Sequence, residues 1–197
     1  RIVMSADAIL VVPTLAYYVC CLAESVRPVK GVAELVKDGV MEEGLFTAAL
    51  LVRLLNDIGT PLLLDGAARA ALLQALRAEP GDGSLSGSFP QRLLSQLDKF
   101  GALLTRLNKD LTHGEVNILL SGLGELPAAQ ALADFEQRLE YLAALYARSQ
   151  VHLAQLTTEI TRRLGDAGSS MLMLRFVRFH EELYAHPYTD ATGEYTG

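Results

Sequence analysis

Apolar positions along the chain recur at steps of three and four residues wherever they recur with a clear period, which is the helical interval. Residues 2–24 are apolar all round, the mark of a helix at the centre of a fold. The uncharged part of that run, Ala8 to Ala23, is shorter than the roughly 20 residues a membrane span needs. Pro13 lies inside it, so the pattern predicts a buried, kinked helix and no membrane span. A second helix is predicted over 41–58, ended or kinked by Gly59-Thr60-Pro61, and a short one over 66–78. Residues 79–90, EPGDGSLSGSFP, read as a flexible loop. Residues 91–112 are amphipathic, and Gly114 marks an adjustment before the apolar turn from Val116 to Leu123.

Pro127 opens the longest helix, 128–164. Its stripe runs through Leu132, Phe135, Leu139, Leu142, Leu145, Leu153, Leu156, Ile160 and Leu164, with charged residues between. Gly165 supplies a C-cap, and Ser169 or Ser170 an N-cap for a last helix reaching about Ala185. Beyond Pro187 no apolar period remains, so 187–197 are expected to form a mobile tail or a flap that orders on ligand binding. No stretch alternates apolar and polar residues long enough to make a strand. The fold class is all-α, an antiparallel helical bundle, with 1–186 as one helical domain.

Composition narrows the function classes. The chain has 197 residues, half of them apolar and a fifth charged, with a net charge of −6. An acidic balance without a basic stripe excludes phosphate-backbone binding, so nucleic acid is not an expected partner. Neighbouring residues on a helix point in different directions, so adjacent Cys20 and Cys21 are expected as reduced core thiols rather than a disulfide. A cytoplasmic protein is expected. The chain opens at Arg1 in mid-pattern, so a fragment, or the ordered part of something longer, is expected.

Candidate chemistry sits in two places. Asn56-Asp57 interrupts the apolar run LLVRLLNDIGTPLLL, and Leu104 to Asn117 read LTRLNKDLTHGEVN. A carboxylate in so apolar a setting belongs at a helix end, in a pair, or on a cation. The plain alternative for the first place is a helix stop made by Asn, Gly, Thr and Pro, and for Lys109, Asp110 and Glu115 in the second it is solvated charge on an amphipathic helix. His113, His180 and His186 match neither a zinc helix pattern nor the Glu-x-x-His repeats of di-iron bundles. No nucleophilic triad and no phosphate-cradling glycine loop can be argued.

Laid out on these helices, the residues resemble the C-terminal half of a class I terpene synthase. Arg1-Ile2-Val3-Met4-Ser5 resembles the opening of the helix that senses the substrate diphosphate. Asn56-Asp57-Ile58-Gly59-Thr60 resembles the start of the family's second metal motif, Asn-Asp-x-x-Ser/Thr-x-x-x-Glu. Asn108 to Asn117 resembles the family's next stretch of chain, an acidic residue and then Gly-Glu-x-x-Asn before an apolar turn and a long helix. The resemblance covers about two-thirds of the chain. The third metal position is Leu64, so the missing carboxylate comes either from Asp65 or, the preferred choice, from Asp110 across an insertion spanning 61–104. The family's aspartate-rich motif is not among these residues and would stand upstream of Arg1.

The resemblance implies a bundle of the isoprenoid-synthase type, incomplete on its N-terminal side. It implies Mg2+ held by Asn56, Thr60 and Asp110, with an isoprenoid diphosphate as substrate. Asn56 and Thr60, four residues apart, would share one helical face, and their oxygens with a carboxylate are hard ligands suited to magnesium. Arg1 and Arg178, with Arg175, would contact the diphosphate. Tyr17 and Phe46, with Tyr18 and Phe100, would line a pocket whose ring faces stabilise carbocations. A homodimer is a possible assembly. The rival expectation is a non-catalytic helical module that binds a partner helix or an apolar ligand along the 128–164 stripe.

Overall fold

A computed structural model describes residues 11–21, 31–78 and 88–186. Within them the regular elements are all helical. They are α1 (Val11–Cys21), α2 (Val32–Lys37), α3 (Val40–Ile58), α4 (Thr60–Leu64), α5 (Gly66–Ala78), α6 (Phe89–Leu94), α7 (Leu97–His113), α8 (Ala128–Leu164) and α9 (Gly168–Leu183), with a 3₁₀ turn at Leu123–Glu125. Arg1, the remainder of the 2–24 run, residues 79–87 and the tail from Pro187 lie outside the described residues. No helix among the described residues is long and apolar enough to cross a membrane.

The ends of α3 follow from local chemistry. Glu42 and Glu43 lie in its first turn, where carboxylates favour the positive end of the helix dipole. Gly59 takes φ 88° and ψ 150° after its last residue, a backbone shape a side chain resists. The break separates Asn56 from Thr60, which opens α4, so the two do not share one continuous helical face as the sequence implied. Asp65 caps α5, its Oδ1 accepting from the N–H groups of Ala67 at 2.9 Å and Ala68 at 3.0 Å, which is the usual work of an N-terminal aspartate.

The expected 91–112 helix is two elements. The first, α6, begins earlier, at Phe89, where the Gln91 side chain accepts from the Ser88 N–H at 2.8 Å, as in a capping box. Phe89 and Pro90 therefore belong to a helix and not to the loop. The second, α7, has a non-helical residue at Phe100 and closes on Gly114 at φ 67°. Helix α8 matches the expected span and ends at Gly165, whose N–H bonds Thr161 O at 2.9 Å. Ser169 and Ser170 do not cap α9. Both are buried inside its first turn, and Asp166 Oδ2 accepts from the Gly168 N–H at 2.9 Å instead.

The chain forms two compact units. One comprises residues 1–54 and 145–181. Within it Gly44 permits close approach, since a Cβ there would stand 3.2 Å from Met173 Sδ and 3.4 Å from Ile160 Cδ1. Burying such apolar side chains contributes about 1.5–3 kcal/mol each. The other unit comprises 55–144 and 182–197. There Phe89 packs on Phe135 with ring centroids 5.1 Å apart, and Leu62, Leu72, Leu76, Leu93, Leu104 and Leu107 are buried. Residues of the expected insertion thus supply part of this core.

Candidate functional site

The polar cluster of the second unit is built where α3 ends, α7 runs and the turn after Gly114 returns. Asp57 is fully buried and Asp110 and Asn117 are each 2 % exposed, so every polar atom here is answerable to its neighbours. Asn117 is the bridge. Its amide nitrogen donates to Asp57 O at 2.6 Å and to Asp110 Oδ2 at 2.7 Å. Its Oδ1 accepts from the N–H groups of Leu119 at 2.9 Å and Leu120 at 3.3 Å, which shapes the turn. Asp57 Oδ2 accepts from the Ile118 N–H at 3.1 Å, and its Oδ1 from the Asn56 amide at 3.3 Å.

Arg106 closes the cluster on its other side. Its Nε donates to Asn56 O at 2.8 Å and its NH2 nitrogen to Asn56 Oδ1 at 2.6 Å. In an unbroken helix Asn56 O would accept from the Thr60 N–H. The break at Gly59 frees both groups, and each finds a distant partner. Arg106 takes the carbonyl, and the Thr60 N–H donates to Tyr184 O at 3.1 Å. The Arg106 guanidinium lies 4.8 Å from the Tyr184 ring centroid, within cation–π range. Gly59 leaves the arginine room, since a Cβ there would stand 3.3 Å from Arg106 Cγ.

The fit to a divalent cation is divided. Asp110 Oδ1 is buried and accepts no hydrogen bond, with Lys109 Nζ 3.4 Å away. That oxygen is the kind a hard cation takes. Asn56 Oδ1, in contrast, already accepts a hydrogen bond from the Arg106 guanidinium. Lys109 also hydrogen-bonds Glu115, and that bond holds the Glu115 carboxyl below its ordinary range. Among the described residues no three His, Cys, Asp or Glu side chains gather as a metal set.

Of the sequence-predicted site residues, the structure brings Asn56 and Asp110 into one hydrogen-bonded cluster, with Thr60 beginning the next helix beside it. Arg175 and Arg178 are exposed on α9 in the other unit. Tyr17 is 65 % exposed with its ring against Tyr18 at 5.9 Å, and Phe46 is half-buried on α3. The first unit holds an open groove of about 390 Å³ between α8 and α9, lined by Thr157, Thr161, Arg162, Ser170, Met171 and Leu174 among others. None of the expected site residues lines it.

Sequence reasoning passed over Arg106 and gave Asn117 and Tyr184 no contact. One signal for Arg106 was present, since it stands four residues before Asp110 and so on the same face of α7. Comparison with known protein families, curated proteins and solved structures gives no match.

Proposed function

We propose that the chain binds an isoprenoid diphosphate with Mg2+ and serves its ionisation and cyclisation, in the manner of a class I terpene synthase. The observation that carries this reading is the meeting of Asn56 and Asp110 in one hydrogen-bonded cluster, with a buried carboxylate oxygen, Asp110 Oδ1, that accepts no hydrogen bond and has Lys109 Nζ 3.4 Å away. Magnesium, when bound, would supply charge neutralisation of the departing diphosphate. Asp110 would offer Oδ1 while Asn117 fixes its other oxygen, which orients the carboxylate before any ligand arrives. Asn56 and Thr60 would complete the oxygen set.

A second reading is favoured by the hold of Arg106 on both oxygens of Asn56. In it the guanidinium is the permanent cation of the cluster, and the chain is a non-catalytic helical module. Its contact surface would differ from the one expected. Phe135, Leu139, Leu142, Leu153, Leu156 and Ile160 of the α8 stripe are buried and so not free for a partner helix.

Titration calorimetry of Mg2+ with inorganic pyrophosphate separates the two. The enzyme reading expects saturable binding by the native chain, weakened at least tenfold in Asn56→Ala and in Asp110→Asn, each still folded by circular dichroism. It also expects Asn56→Ala and Asp110→Ala to abolish magnesium-dependent diphosphate release. Binding that neither substitution disturbs, or no binding at all, leaves the module.

A further inference from the structure

We propose that the groove between α8 and α9 is a docking site for an acidic amphipathic helix of a partner protein. All the groove residues lie within 145–181, whereas the polar cluster belongs to the other unit. The inference therefore goes beyond the proposed function and holds under either of its readings.

Helix α9 has two faces. Met173 and Val177 are buried on one. Met171, Leu174, Arg175, Arg178 and Phe179 fall at i, i+3, i+4, i+7 and i+8 and so share the other. All five are exposed, the apolar three at 42, 38 and 59 %. Scattered exposed apolar residues are ordinary, but a row of them beside a recess marks a contact surface. Met171 and Leu174 line the groove from α9, and Thr157, Thr158 and Thr161 line it from α8. The hydroxyls of that lining are already engaged. Thr157 and Thr158 donate to Leu153 O and Ala154 O at 2.8 Å each, and Thr161 shares a bond of 2.7 Å with Ser170. Such a lining asks for apolar contact and offers a polar small molecule little.

Shape and charge together select the occupant. An open recess of about 390 Å³ between two helices suits a third helix, whose side chains at i, i+3, i+4 and i+7 fill it. A bilayer is flat and receives apolar side chains that protrude, so the recess favours a helix over a membrane. From 157 to 178 the chain carries Arg162, Arg163, Arg175 and Arg178 against Glu159 and Asp166. Glu181 and Glu182 come only in the last turn of α9. Arg162 and Arg163 are bridged to Glu159 and Asp38, which leaves Arg175 and Arg178 to set the sign of the exposed α9 face. That face is basic on a chain whose net charge is −6. Acidic residues flanking the apolar row of a partner helix meet those arginines, whereas a second acidic copy of the chain is repelled by the whole. Met171 and Leu174 supply the holding contact, and the arginines orient the helix and speed its approach.

The test is selection on the full chain from a displayed library of amphipathic helical peptides whose polar positions vary among Glu, Gln and Lys. The strongest binder is then titrated by fluorescence anisotropy against the native chain, Leu174→Glu, Arg175→Glu and Met171→Gln. All three positions are exposed, and circular dichroism checks that each variant keeps its fold. The expected result is enrichment of Glu-rich peptides, binding weakened about tenfold or more in each variant, and weaker binding as salt is added. No enrichment, enrichment without an acidic bias, or binding that the variants leave unmoved overturns the docking site. Two controls assign the face elsewhere and overturn it equally. One is co-sedimentation with phosphatidylserine vesicles that the variants abolish, which means a membrane. The other is self-association in sedimentation velocity that the variants abolish, which means a second copy. None of these outcomes bears on the pyrophosphate titration, which separates the two functional readings by itself.

Discussion

Asn117 makes four hydrogen bonds with one short side chain, and removing it exposes what they compensate. Asn117→Ala leaves Asp110 Oδ2 and Asp57 O buried without that donor and frees two turn N–H groups. Unsatisfied buried groups of this kind cost about 1–3 kcal/mol each, and more for a charge. A loss of roughly 3 kcal/mol is expected, and for a chain of this size a melting point lower by roughly 6–12 °C. A shift under 2 °C in a thermal melt counts against the bridging role. Gly59→Ala is expected to cost about 2 kcal/mol by urea unfolding, because φ 88° strains any side chain. The Cβ at 3.3 Å from Arg106 Cγ adds crowding, and a neutral outcome would show that the turn relaxes freely. Asn56-Asp57 stood out in the sequence because amide and carboxylate broke an apolar run. Arg106 did not, since an arginine four residues before an aspartate is a common arrangement on a wet helix face. Burial, which no spacing reveals, turns the same pair inward.

Helix limits were legible where a residue enforces them chemically. Glycine at positive φ stops α3, α7 and α8, and the ends of α5 and α8 fall where the pattern placed them. The start of α9 was misjudged, because serine is a favoured cap in general while an aspartate two residues upstream reaches the first free N–H here. The short helices α2 and α4 were not anticipated, as six and five residues are too few to show a period. Between α8 and α9 the buried Tyr146 hydroxyl and the Gln150 amide both donate to Glu181 Oε1 at 2.6 Å. Burial, with help from the Glu181 charge, pushes the tyrosine's pKa well above its ordinary value. A raised folded pKa means that the neutral form is the stable one. The contribution is complete below the unfolded value of about 10 and is lost as pH rises through and beyond it. Tyr146→Phe should therefore cost about 1.5–3 kcal/mol at neutral pH. Its stability should also fall less steeply than the native chain's between about pH 10 and 12. Parallel alkaline slopes in denaturant unfolding would contradict the assignment.

For the whole molecule, the all-α class was legible because helical periodicity fills nearly every segment, and an acidic chain with a net charge of −6 gave no reason to expect nucleic acid. The division into two compact units was not legible. Its boundaries, at Leu54, Ala144 and Glu181, fall inside α3, α8 and α9, where neither glycine nor proline nor a change in composition marks them. The candidate ligands belong to one unit, 55–144 with 182–197, and this makes the functional reading visible in a measurement made on the full chain. A ligand that binds only the folded state at a hundred times its dissociation constant stabilises by about 2.7 kcal/mol. Amides whose exchange requires opening of the cluster should then slow by up to about a hundredfold. Hydrogen exchange with saturating Mg2+ and inorganic pyrophosphate should show that slowing across 104–120, the segment carrying Arg106, Asp110 and Asn117. Unchanged exchange throughout 104–120 would mean that nothing binds among these oxygens.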